Sequence, residues 1–98
     1  MSEVLLIHGA CHGAWAWARV IPALAALGVQ ARALDLPGRG VAASLEDQIA
    51  AVEAALQGPT VLVGHSAGGF AISGAARSPL VRGLIYVCAY VPVAGQSL

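Results

Sequence analysis

Short apolar runs rich in β-branched residues alternate along this chain with stretches whose apolar residues recur at helical spacing, and this alternation limits the possible folds more than any other feature. Residues 4–7 form the first run and end at His8-Gly9. Residues 30–36 form the second and end at Pro37-Gly38. The third, 60–63, lies between Gly58-Pro59 and Gly64, and the last, 84–87, is followed by Pro92 and Gly95. Helical patterns fill the intervals. One within 15–27 ends at Gly28 and carries Pro22, which starts its regular part or kinks it. In another, Ser44 is placed as N-cap with Asp47 as the capping-box acid, and Leu45, Ile49, Val52 and Leu56 make one apolar stripe. A third runs from about 66 to 77 and stops near Pro79. The order βαβαβαβ calls for an α/β fold in three layers, a parallel sheet between helices on both faces, with right-handed crossovers. Ligands of such sheets bind beyond the carboxyl ends of the strands, which directs attention to the glycine-rich loops after Ile7 and Val63.

Ninety-eight residues make one domain at most. Apolar residues are 58% of the chain, helped by 21 alanines, and charged residues only 10%, against roughly 25% in an average soluble domain. So much apolar surface on a short chain predicts part of a larger body. The five arginines and five acids are scattered and cancel to zero net charge, which gives no field to attract nucleic acid or an anionic membrane. The chain has no lysine, which excludes a P-loop and Schiff-base chemistry. No apolar stretch approaches the ~20 residues of a membrane span, and the acidic start Met1-Ser2-Glu3 is unlike a secretory signal. Cys11 and Cys88 are isolated thiols without metal-ligand spacing, so a cytoplasmic setting with no metal and no cofactor is expected.

Gly64-His65-Ser66-Ala67-Gly68 matches G-x-S-x-G between a strand-like run and a helical one. A serine on so tight a turn needs neighbours without bulk two positions away on either side, and Gly64 and Gly68 meet that need. Its hydroxyl then points into the cleft at a helix N-terminus, where free N–H groups favour developing negative charge. An oxyanion hole takes two backbone N–H groups from different segments. One is that of Ala67, the residue after the candidate nucleophile. The other is that of Ala10, in the loop that Gly9 lets turn close to the sheet end.

Four segments together carry a resemblance: His8-Gly9-Ala10-Cys11-His12-Gly13-Ala14-Trp15, Asp35-Leu36-Pro37-Gly38-Arg39-Gly40, Gly64-His65-Ser66-Ala67-Gly68-Gly69, and the closing Val91-Pro92 with Gly95-Gln96-Ser97-Leu98. In that order they resemble the α/β-hydrolase superfamily, in particular the branch of plant methyl esterases, hydroxynitrile lyases and bacterial esterases. The resemblance spans essentially all 98 residues. It implies a sheet of strand order 2-1-3-4, Ser66 as nucleophile, Ala10 and Ala67 as oxyanion donors, and a small ester as substrate. It also implies that the triad acid, the base and a cap lie beyond Leu98, so that residues 1–98 form the N-terminal half of such a domain and are nearly inert alone. The fourth strand would then be an exposed edge inviting self-association.

The other polar and aromatic residues are weighed against blander roles. His8 and His12 are expected to orient or pack the loop, and His65 to pack beneath the site rather than serve as base. Asp35 is expected to brace the Pro37-Gly38 turn, Cys88 to be buried filler, and Arg39 to be solvated. Trp15 is a candidate wall of the substrate pocket, although core packing is the simpler reading for both Trp15 and Trp17. Three alternatives stand beside ester hydrolysis. One is cyanohydrin cleavage by a serine–histidine proton relay, and one is a non-catalytic remnant or binding module. The third, a dinucleotide-binding unit, is disfavoured because Gly9 and Gly13 are spaced G-x-x-x-G, with histidines where a pyrophosphate needs bare backbone.

Overall fold

A computed structural model describes residues 3–10, 12–37 and 44–89. Cys11, Arg39, most of the turn after Pro37 and the closing motif at 91–98 lie outside the described residues. The elements are β1 (Glu3–Ile7), a 3-10 turn (Ala14–Trp17), α1 (Val20–Ala26), β2 (Ala31–Leu34), α2 (Leu45–Ala55), β3 (Thr60–His65), α3 (Gly68–Ala75) and β4 (Val81–Val87). The four strands form one parallel sheet in the order β2-β1-β3-β4, as the resemblance implied.

Period-two alternation sorts the strand residues onto two faces. Leu5, Ile7 and Leu62 point to one side, where Leu36 and, from α2 and α3, Val52, Ala71, Ile72 and Ala75 complete a core with every member at most 5% exposed. Leu6 and Val63 point to the other and meet Trp17, with Ile21 of α1 packed against them. The second layer is thinner. The 3-10 turn and α1 lie over β1 and β2, and on β4 Ile85 and Val87 stay 50% and 40% exposed.

The single helix foreseen within 15–27 is two pieces. A continuous helix would need the N–H that Pro22 lacks and would drive its ring into the Ala18 carbonyl. The chain instead closes 3-10 bonds from Ala16 N to Gly13 O and Ala18 N to Trp15 O, then starts α1 at Val20 with Pro22 in the first turn, where no N–H is needed. Its end is capped by bonds from Gly28 N to Ala25 O and Val29 N to Leu24 O, with Gly28 at φ +80°. The cap read for α2 is present in full. Ser44 Oγ accepts from Asp47 N at 3.1 Å, and Asp47 Oδ2 accepts from Ser44 N at 3.0 Å.

Arg77 at the end of α3 grips Glu53 of α2 with two hydrogen bonds of 2.9 Å. The bonded guanidinium holds the Glu53 carboxyl below its ordinary value. A lowered folded-state value means stabilisation that is present above the ordinary carboxylate range and is lost as pH falls through the lowered value. Glu53→Gln is therefore expected to lower stability slightly near neutrality and to leave it unchanged once pH has fallen below the lowered value, so that the acid limb of a stability-against-pH curve flattens. A series of thermal melts checks this.

Candidate active site

β3 delivers its last residues to the sheet's carboxyl end and stops abruptly. Ser66 N–H donates to the Val87 carbonyl at 3.3 Å, prolonging the β3–β4 ladder, and the Ser66 carbonyl already accepts from Gly69 N at 3.1 Å in the turn that opens α3. Between those two bonds Ser66 holds φ +54°. For a residue with a Cβ such a left-handed conformation costs about 1–2 kcal/mol. The turn is affordable in space because its flanks are glycines. A Cβ on Gly68 would stand 2.7 Å from the His8 carbonyl oxygen and 2.8 Å from that of Ile7, and one on Gly64 would stand 2.9 Å from the Gly68 carbonyl oxygen. α3 begins at Gly68, so Ser66 precedes the helix and does not lie within it.

The loop after β1 closes over this serine. A Cβ on Gly9 would come within 3.0 Å of Ser66 Cβ and 3.1 Å of the His65 carbonyl oxygen, so any larger residue here would push the Ser66 turn back by a few tenths of an ångström. Ala10 follows at once and is exposed, and Ala67 is the N-cap of α3. Among the described residues, neither the Ala10 nor the Ala67 N–H donates to another protein group. Two unspent amides from different segments thus flank one serine, the composition an oxyanion hole needs.

The histidines divide as the sequence reading expected. His8 is buried. Its Nε2 accepts from Leu36 N at 2.9 Å, which assigns the proton to Nδ1, and Nδ1–H donates to the Gly9 carbonyl at 2.8 Å. With both nitrogens engaged it has none left to act as base. His12 Nδ1 bonds the Ala10 carbonyl at 3.1 Å. The His65 ring packs edge-on against Trp17, with centroids 6.4 Å apart, and against His12 at 5.9 Å.

Asp35 reaches back across the sheet end, where Oδ1 accepts from Ala14 N at 2.7 Å, a bond with no local signature because 21 residues separate the partners; Gly38, in the turn Asp35 is expected to brace, lies outside the described residues. Two expectations are corrected. Cys88 is exposed at φ +45°, past the last rung of β4, and is not buried filler. Trp15 is 59% exposed and is no core residue, whereas Trp17 is. Consecutive 3-10 turns send these two side chains in different directions. His12, Trp15, Trp17, Val20, His65 and Val87 line an open pocket of about 280 Å³ beside the turn, with the His12 and Trp15 rings 5.4 Å apart. Sequence reading singled out Trp15 but not this cluster, since its members are separated by up to 75 positions.

Residues 4–98 match the model of the alpha/beta hydrolase family. Esterase PIR7B of Oryza sativa subsp. japonica is 38% identical over 112 residues, an alignment covering 99% of this chain and 42% of that protein. The carbendazim hydrolyzing esterase of a Nocardioides strain is 34% identical, with 100% and 46% covered. Among solved structures, a pyrethroid hydrolase from Sphingobium faniae superimposes with a TM-score of 0.72 at 35% identity, covering 90% of this chain and 40% of that one. The chain thus spans less than half the length of the relatives it matches. The strand order, the strained serine between two glycines, the glycine loop pressed against it and these matches lead to one conclusion: the chain belongs to the alpha/beta hydrolase family.

Proposed function

We propose that this chain supplies the nucleophile and oxyanion hole of a carboxylic ester hydrolase. Ser66 Oγ attacks the ester carbonyl, and the N–H groups of Ala10 and Ala67 receive the oxygen as it becomes negative. The observation that carries the reading is the left-handed Ser66 at the end of β3 with Gly9 packed against its Cβ. Several relatives are named esterases, which supports an ester over other substrates of the same frame. A hydroxyl needs a base to take its proton, and the engaged nitrogens of His8 and the sideways packing of His65 support a base supplied from outside this chain's described residues.

The aromatic pocket fits the apolar part of such an ester. On this reading Trp15 and His12 form its outer wall, and Trp15→Ala is expected to raise KM for aryl esters about tenfold while leaving kcat within about threefold, because a ring that only packs on the substrate is worth roughly 1–2 kcal/mol of binding. Steady-state kinetics with an aryl and a short alkyl ester separates the two parameters. Self-association belongs to the same proposal, since β4 pairs only with β3 among the described residues and carries the exposed Ile85 and Val87.

The test is covalent trapping. A fluorophosphonate added to the intact protein should modify Ser66, found by peptide mass spectrometry. A protein that cleaves cyanohydrins but takes no label at Ser66 would point to proton-relay chemistry instead.

A further inference from the structure

The two ends of a trans peptide unit point in opposite directions, so whatever holds the carbonyl of one residue aims the N–H of the next. The described residues contain no cis peptide. The Gly9 carbonyl is held twice, by His8 Nδ1–H at 2.8 Å and by His12 N–H at 3.2 Å. The N–H on the far side of that same peptide plane is that of Ala10. His8 is itself pinned, since its Nε2 accepts from Leu36 N at 2.9 Å and its ring is only 4% exposed. The neighbouring residue, Asp35, fastens the other end of the loop through the 2.7 Å bond to Ala14 N. Two consecutive residues at the carboxyl end of β2 thereby grip the glycine loop at both ends, and β2 is tied to β1 in register up to Ile7 and Leu34.

We propose that His8 and Asp35 are positioning residues that hold the described residues of the loop, 8–10 and 12–14, from the end of β2 and so aim the Ala10 N–H at the oxygen bound beside Ser66. The proposal rests on the ester-hydrolase reading for its catalytic consequence, while the clamp itself is a matter of geometry. A loop with Gly9 and Gly13 in it has no stiffness of its own, so the direction of one amide is set by these anchors. The Asp35 bond joins a carboxylate to a backbone N–H, a charge-assisted contact stronger than a neutral one. Neither residue touches the reacting atoms, and loss of one anchor is expected to cost less than the roughly 10²–10³ lost with an oxyanion donor itself.

The experiment uses Asp35→Ala, Asp35→Asn and His8→Ala in the intact protein, with Arg77→Ala as a control for stability alone. Asp35 is exposed, so its variants keep the test alive if His8→Ala does not fold. Fluorophosphonate inactivation gives a maximal rate and a half-saturating concentration, and amide hydrogen exchange by NMR follows His12, whose N–H is bonded to the Gly9 carbonyl. Asp35→Ala should lower the maximal rate about tenfold with half-saturation unchanged and should speed exchange at His12, and Asp35→Asn, which keeps the acceptor oxygen, should restore both to within about threefold. His8→Ala should lower the rate further. Unchanged exchange at His12 in Asp35→Ala would overturn the clamp, as would a rate loss matched by Arg77→Ala at equal stability. If the parent protein takes no label at Ser66 but Asp35→Ala still frees the His12 amide, the hydrolase reading fails and the clamp stands.

Discussion

Ser66→Ala is expected to abolish fluorophosphonate labelling and to lower ester turnover by the intact protein about 10⁶-fold, leaving roughly 10³–10⁴ over water from oxyanion stabilisation and binding. The reasoning is positional as much as chemical. Among the described residues, Ser66 is the one that holds a hydroxyl in a left-handed conformation, with Gly9 against its Cβ and the unspent N–H groups of Ala10 and Ala67 in the two segments that meet there. Alanine keeps the Cβ and hence the backbone strain, so the melting temperature should stay within a degree or two. That separates lost chemistry from lost fold. Ser66→Gly makes the complementary point. It removes the same hydroxyl but relieves the left-handed strain, and should raise stability by about 1 kcal/mol.

Gly68→Ala carries the second large effect, on folding. The added Cβ would lie 2.7 Å from the His8 carbonyl oxygen and 2.8 Å from that of Ile7, which are backbone atoms of the β1 end and cannot rotate aside. Overpacking against a yielding side chain costs about 1–3 kcal/mol. Against a strand whose Ile7 is fully buried and paired on both sides, we expect about 3 kcal/mol or more, read as a fall in the urea midpoint. Separation of α3 from β1 would also pull Ser66 away from the Gly9–Ala10 loop, so labelling should slow even in the molecules that remain folded. A melting curve like that of the parent would show that α3 does not press on the β1 end as described.

The sheet was legible because its determinants are local. Runs such as 60–63 alternate between two buried faces, and the glycine and proline punctuation marks their ends. The cap at Ser44 and Asp47 is likewise a three-residue signal, and it forms as read. Strand order is different, since no residue in β1 names its neighbours. It came from resemblance, and the pairing of β1 with both β2 and β3 agrees with it. In the site, while the roles of Ser66, Ala10 and Ala67 belong to the proposal, the tight turn at Ser66 and the close approach of Gly9 were legible because such turns demand glycine at fixed offsets. Asp35 to Ala14 was not, because a hydrogen bond across 21 residues leaves no periodicity. Trp15 and Cys88 were misread for one shared reason: residue type favours burial for both, but the face of β4 and the outside of the 3-10 turn lack a covering layer among the described residues.

The central claim is that the Ser66 side chain leaves its turn toward the Gly9–Ala10 loop and that two backbone amides meet the oxygen placed there. A crystal structure of the intact protein after reaction with a fluorophosphonate measures this directly. The account predicts phosphorus on Ser66 Oγ, with the phosphoryl oxygen at about 2.7–3.1 Å from both the Ala10 and Ala67 nitrogens. A phosphoryl oxygen facing solvent or a side chain, with neither amide within hydrogen-bonding distance, would contradict it.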